Sequence, residues 1–331
     1  MPRLTRTLLL FAGAIVLAVL VRRVGARVIL DLLRQVGWAS AIVSAIYTAH
    51  LAVRAAALWQ CLPPGSLAFV EVLRVRLSAE AVEMLTFTGP FLAEPAKGWL
   101  LARRGLTGAD AYGAVAIEYL LYTLTSAWMA VIALSMLIAR GVLATGLRRA
   151  VIGVIAGMIA FSAAFAVAAV SGRGLLVPTV RLSGAIVGRR RADAAAAHVE
   201  PVERVLLTFI HDHPARLLTV LATEALGHLL LALEIFTVVR ALMLPVRFLD
   251  AVVVEGAIKF ISVAFFFVPG QVGAQEGVYT LLFQAIGVSG AVGLTMALVR
   301  RVRALIVAGA GVAVLALTRA DQERLTNDQR P

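Results

Sequence analysis

Residues 268–287 read VPGQVGAQEGVYTLLFQAIG. The stretch is too apolar for an ordinary loop, yet Pro269, Gly270, Gly273 and Gly277 interrupt it too often for an ordinary membrane span. Proline ends the preceding helix, since its ring fixes φ and it lacks an N–H. The glycines allow tight turns and close approach of another group to the backbone. Residues 278–286 can then start a short helix whose N-terminus is aimed into the membrane. Such a segment dips into the bilayer and turns back, and its backbone is tolerated only where protein or a water-filled cavity covers it. Glu276, with Gln275 beside it, sits near that terminus. A carboxylate there either caps the helix or borders a site for a polar ligand group.

The rest of the chain supports a membrane setting. It is 61% hydrophobic over 331 residues, and its mean hydropathy is +0.92; soluble domains are roughly 45–50% apolar. The expected fold is all-α, a multi-pass membrane helical bundle of about eight spans of roughly twenty residues each. The spans are expected near 5–22, 37–60, 67–88, 110–139, 150–171, 215–240, 248–268 and 290–318. Arg22 and Arg23 directly follow the first apolar run, and no small-residue cleavage site precedes them, so that run reads as an uncleaved first span. The net charge of +12 fits arginine-rich loops that meet anionic lipid head groups and set orientation. The arginines are scattered between spans, which argues against nucleic acid as a partner. Residues 172–214 form the longest polar connection, and Arg173, Arg181, Arg189, Arg190, Arg191 and Arg204 favour its placement on the cytoplasmic side. The lone Cys61 excludes an internal disulfide and has no metal-ligand companions. GxSxG, Walker lysine, HExxH and CxxC patterns are missing, so no catalytic residues, metal or cofactor are assigned.

A second broken segment, TGPFLAEPAKGWLLARRG at 88–105, lies in the first half. An ungapped shift of 182 residues aligns Glu94 with Glu276, Leu100 with Leu282, Gly105 with Gly287, Gly108 with Gly290 and Ala109 with Ala291. Either two apolar helices coincide by chance, or residues 37–171 and 215–318 are half-repeats within one membrane domain spanning 1–331. Paired Gly/Pro-interrupted segments at corresponding positions mark the binding site in many transporters. Four expected spans separate the two motifs, which gives parallel halves; one miscounted crossing makes them inverted.

Eight of the twelve glutamates lie inside otherwise apolar stretches: Glu80, Glu83, Glu94, Glu118, Glu224, Glu234, Glu255 and Glu276. A carboxylate in hydrocarbon is expensive and normally faces a bundle interior or a wet cavity. Both lysines, Lys97 and Lys259, are embedded as well, at i+3 from Glu94 and i+4 from Glu255. That spacing suits ion pairs. Arg300, Arg301 and Arg303 fall in the last expected span and need carboxylate or phosphate partners, unless the span begins after them. Glu80 and Glu83 share a helix face, and either share a proton or bind nearby arginines. Glu224 and His228, one turn apart, either relay protons or form a buried hydrogen-bonded pair. His211, Asp212 and His213 read as a solvated cluster. Tyr112, Tyr119, Tyr122 and Trp128 read as packing or interface residues.

With these residues in place, FVPGQVGAQEG at 267–277 and GPFLAEPAKGWLL at 89–101 resemble the membrane region of lysylphosphatidylglycerol synthases and their stand-alone flippase-like relatives. The PGQ-G-QEG wording is most similar to the hopanoid-biosynthesis-associated HpnL proteins. The resemblance covers about residues 10–318. It implies a Gly-rich turn and Glu at Pro269, Gly270, Gly273, Glu276 and Gly277, a counterpart at Gly89, Pro90, Glu94 and Lys97, and an intramembrane arginine at Arg300 or Arg303. Lysyl transfer in the larger relatives belongs to a soluble domain after the membrane region. Only about a dozen polar residues follow the last expected span here, so the resemblance implies lipid handling rather than aminoacyl transfer.

The expected function is a lipid translocator of the cell inner membrane. Its substrate-binding set is Glu80, Glu83, Glu94, Lys97, Glu118, Glu255, Lys259, Pro269, Gly270, Gly273, Gln275, Glu276, Gly277, Arg300 and Arg303. Its partners would be membrane lipids (hopanoid, phospholipid or glycolipid) and, under one reading, lipid-biosynthesis enzymes. Two alternatives stay open: a membrane-embedded transferase using a lipid-linked donor, and a non-transporting scaffold.

Overall fold

The computed structural model describes residues 22, 26–85, 90–143, 145–172, 174, 176–264 and 271–328. Most of the first expected span, and Gly89, Pro269, Gly270 and Arg173, lie outside them. The described residues are helical, with no strand among them. The helices of the first half are α1 (Ala26–Val36), α2 (Ala39–Cys61), α3 (Phe69–Leu85), α4 (Pro90–Ala102), α5 (Gly108–Ala139) and α6 (Thr145–Ser171). A connection of α7 (Leu176–Leu182), α8 (Gly184–Val187) and α9 (Arg189–Asp212) leads to α10 (Pro214–Ala241), α11 (Phe248–Ala264), α12 (Ala274–Ala285) and α13 (Gly290–Asp328). Among the described residues four helices are long and apolar enough to cross a membrane: α2, α5, α6 over Thr145–Ala168, and α10. The described residues of the polar connection 172–214 are helical almost throughout.

Two apolar clusters mark opposite ends of the bundle. One contains Val43, Ala133, Leu134, Val238, Val254 and Phe283; the other contains Leu58, Val72, Leu101, Ala111, Phe209 and Val220. Helix α2 leaves the Val238 cluster at Val43 and reaches the Leu58 cluster at Leu58. Helix α10 runs the other way, from Val220 to Val238. Helix α3 starts in the Leu58 cluster at Val72, and α4 returns to that cluster at Leu101. Likewise α11 starts in the Val238 cluster at Ala251, and α12 returns to it at Phe283.

Each pair is thus a hairpin that enters and leaves by the same end. The short arms, α4 with 13 residues and α12 with 12, reach only about 20 Å at 1.5 Å per residue, short of the ~30 Å hydrocarbon core. This changes the crossing count. Helices α3 and α11, which hydropathy separates as spans, are the inward arms of these hairpins.

Local sequence explains the turns. After each hairpin the chain reverses at a glycine with positive φ, Gly105 at 97° and Gly287 at 82°, a conformation that costs glycine little. Thr107 then caps α5, its hydroxyl accepting from the Asp110 N–H at 3.2 Å. Lipid chains are as apolar as leucine, so close packing and polar contacts hold membrane helices together. Two glycines permit such packing between the halves. Gly256 of α11 lies against the Met129 backbone and Ala133 of α5, and Gly311 of α13 against the Leu77 backbone and Ala81 of α3.

Candidate functional site

Between the two apolar clusters lies a belt of buried charge, organised around two centres of opposite sign. The first is the Glu118 carboxylate on α5. Arg54 of α2 donates to it from Nε at 3.1 Å and from Nη2. Lys97 of α4 approaches at 3.0 Å and Arg76 of α3 at 3.8 Å. The second is the Arg300 guanidinium on α13. Glu234 of α10 lies 3.0 Å from it and Glu255 of α11 2.9 Å, while the Tyr279 hydroxyl of α12 accepts from Nη1. Each centre is ringed by groups from the other three helices of its half. Where the first half has a base, Arg54 or Arg76, the second has an acid, Glu234 or Glu255, on the helix of the same rank.

Around these centres most of the remaining embedded charges are paired. Lys97 also holds Glu94 at 2.7 Å, and Arg76 holds Glu80 at 3.3 Å. Lys259 reaches Glu255 at 3.2 Å, and Arg303 pairs with Glu234. Glu276 receives Arg301 at 2.7 Å through Nε and accepts from the Gly273 N–H at 2.7 Å, so the carboxylate caps α12 and is ion-paired at once. The N-terminus of α12 is therefore occupied by the chain's own acid.

Two tyrosines tie the centres together. Tyr47 donates to Glu80 at 2.6 Å, and its ring lies 3.5 Å beneath Arg303 from the other half. Tyr122 lies 3.6 Å beneath Arg54 and accepts from Lys259 at 3.1 Å. Cation–π contacts of this kind strengthen where water is excluded.

Of the expected site residues, Glu118, Glu255, Lys97 and Glu276 are fully enclosed. Glu94 and Lys259 each keep 17% of their side chains exposed, Arg300 13% and Arg303 11%. Glu80 is buried; Glu83 is partly exposed on the same helix. Gln275 donates to Gln271 at 2.8 Å, and Gly277 closes the first turn of α12 on the Gly273 carbonyl. Pro269 and Gly270 lie outside the described residues. Glu224 and His228 do not bond each other. His228 Nε2 instead lies 3.2 Å from Thr125 Oγ1 and 3.1 Å from Ser126 Oγ.

Sequence reasoning missed Tyr47, Arg54, Arg76 and Tyr279. Arg54 had a signal, being the one charged residue between 37 and 60. The tyrosines had none, since tyrosine in a span is usually packing or an interface anchor.

The family described as "Lysylphosphatidylglycerol synthase TM region" matches residues 6–311. The chain belongs to that family. No curated protein and no solved structure matches it. In this member of the lysylphosphatidylglycerol synthase TM-region family, the matched stretch contains both hairpins and every residue of the two charge centres.

Proposed function

We propose that the protein is a lipid translocator, moving a polar head group through the charge belt while the tails stay in the bilayer. The observation that carries the reading is the belt itself. Opposed, sign-complementary centres, each bordered by an apolar cluster, supply polar surface where hydrocarbon supplies none. Family membership supports lipid as the substrate class. The corresponding helices, meeting their clusters in opposite order, support half-repeats 37–171 and 215–318 of inverted sense, an arrangement that transporters use for alternating access around a midplane site.

The exposed fringe of the belt is divided. Its carboxylates, Glu83 and Glu94, belong to the first half, and its cations, Lys259, Arg300, Arg301 and Arg303, to the second. An anionic portion of a head group would meet the arginines and a hydroxyl- or amine-bearing portion the glutamates. Lys97, wedged between Glu94 and Glu118, would position Glu94 rather than touch lipid. The resemblance to hopanoid-associated proteins favours a hopanoid or glycosylated derivative, at the cell inner membrane, and lipid-biosynthesis enzymes are the partners this reading suggests.

The test is leaflet-resolved lipid analysis in cells lacking the protein, complemented by wild type or Glu276→Gln. Redistribution between leaflets at constant total composition, reversed by wild type, supports translocation. A change in total composition, together with product formation by purified protein in detergent, would instead establish a transferase. Unchanged lipid in every arm would leave a scaffold.

A further inference from the structure

Taking the translocator reading as its basis, we propose that Glu224 is a proton-carrying site, coupling lipid movement to a proton gradient through the position of Arg54. Within the belt the described carboxylates outnumber the described cations: Glu80, Glu83, Glu94, Glu118, Glu224, Glu234, Glu255 and Glu276 face Arg54, Arg76, Lys97, Lys259, Arg300, Arg301 and Arg303. Glu224 is the enclosed acid least provided for. It is 0% exposed; among the described residues neither its oxygens nor those of Glu255 accept a hydrogen bond, but Glu255 has two cations, Lys259 and Arg300, against it. The nearest cation to Glu224 is Arg54 Nε at 3.2 Å, but the same N–H is directed at Glu118. A carboxylate shut away from water with no donor aimed at it is costly to keep ionised.

The surroundings provide both a switch and a route. Arg54 stands between two carboxylates and is held by Glu118 while Glu224 carries a proton. When that proton leaves, Glu224 becomes a carboxylate and draws the guanidinium across, and Glu118 keeps Lys97 and Arg76. One turn along α10 stands His228, enclosed, with Nδ1 unbonded. Its ring lies 5.0 Å from that of Tyr122. Tyr122 in turn meets Lys259, which pairs with Glu255 beside Arg300. Titratable side chains therefore continue from the first charge centre to the second. The titratable and charged groups around Glu224 are Arg54 and Cys61 from α2, Glu118 from α5, Arg76 from α3 and Lys97 from α4; Tyr122 lies beneath Arg54, His50 bonds the Gly227 carbonyl, and His228 is one turn along the same helix.

Infrared difference spectra of the purified protein test the site apart from transport. The protonated-carboxyl stretch at neutral pH should vanish in Glu224→Gln and persist in the surface control Glu200→Gln; persistence in both overturns the proposal. Should Glu224→Gln not fold, Glu224→Asp must shift the band, and an unshifted band is equally fatal. In vesicles, one proton per cycle makes each unit of pH difference change the leaflet ratio of translocated lipid by about tenfold, a response that Glu224→Gln lacks. A ratio indifferent to pH in wild type overturns the coupling. A protein that shows the band but moves no lipid under any condition defeats the translocator reading instead.

Discussion

Glu118 shows what a single buried acid does when three cations depend on it. Removing it takes the shared acid from Arg54, Lys97 and Arg76 together, leaving them Glu224, Glu94 and Glu80. Breaking a buried ion pair from one side typically costs about 3–5 kcal/mol. Glu118→Ala should therefore lower stability by about that amount in thermal denaturation of the detergent-solubilised protein. Tyr47→Phe deletes only the hydrogen bond to Glu80, which keeps Arg76. It should cost about 1 kcal/mol and leave the Arg303 contact over the ring in place. A melting temperature for Tyr47→Phe below that of Glu118→Ala would reverse this ranking. At this scale the sequence was most informative about acids and lysines, because charge in an apolar run has few innocent explanations. It was silent on how they pair, since Arg54 and Glu118 meet across helices 64 positions apart.

For the helices, most limits were legible from hydropathy to within a few residues. The expected 110–139 and 215–240 correspond to α5 over Gly108–Ala139 and α10 over Pro214–Ala241. Direction was not legible, because a run of apolar residues has the same composition whether it crosses or returns. The hairpins emerge only from which cluster each end joins. Close helix packing gives a prediction here. A Cβ on Gly256 would collide with the Met129 carbonyl, whereas one on Gly309 meets nothing within 4 Å. Gly256→Leu should destabilise by about 2 kcal/mol, through overpacking that the backbone cannot relieve. Gly309→Ala should stay within about 0.5 kcal/mol of wild type. Equal melting curves for the two variants would mean that α11 and α5 are not in close contact.

Taken as a whole, the molecule presents two ends that labelling can distinguish. Trp38 and Met243 are exposed at the Val238-cluster end, at the start of α2 and the end of α10. Ser66 and His213 are exposed at the opposite end. The arginine-rich 172–214 connection packs into the Leu58 cluster through Leu206 and Phe209, so that end should face the cytoplasm. With the buried Cys61 replaced by serine, Trp38→Cys and Met243→Cys should react in intact cells with a membrane-impermeant maleimide. Ser66→Cys and His213→Cys should react only after lysis. Labelling of Trp38→Cys and Met243→Cys from opposite sides would refute antiparallel α2 and α10.

The contrary signs of Glu118 and Arg300 also bear on ancestry. If the halves descend from one duplicated gene, the daughter copies have since diverged into a lock and its key. In a pair of first halves Arg54 would lose Glu224, and in a pair of second halves Glu224 would lose its nearest cation. Neither copy would therefore self-assemble. A chain severed between α6 and α10 should yield two polypeptides that associate with each other and not with themselves.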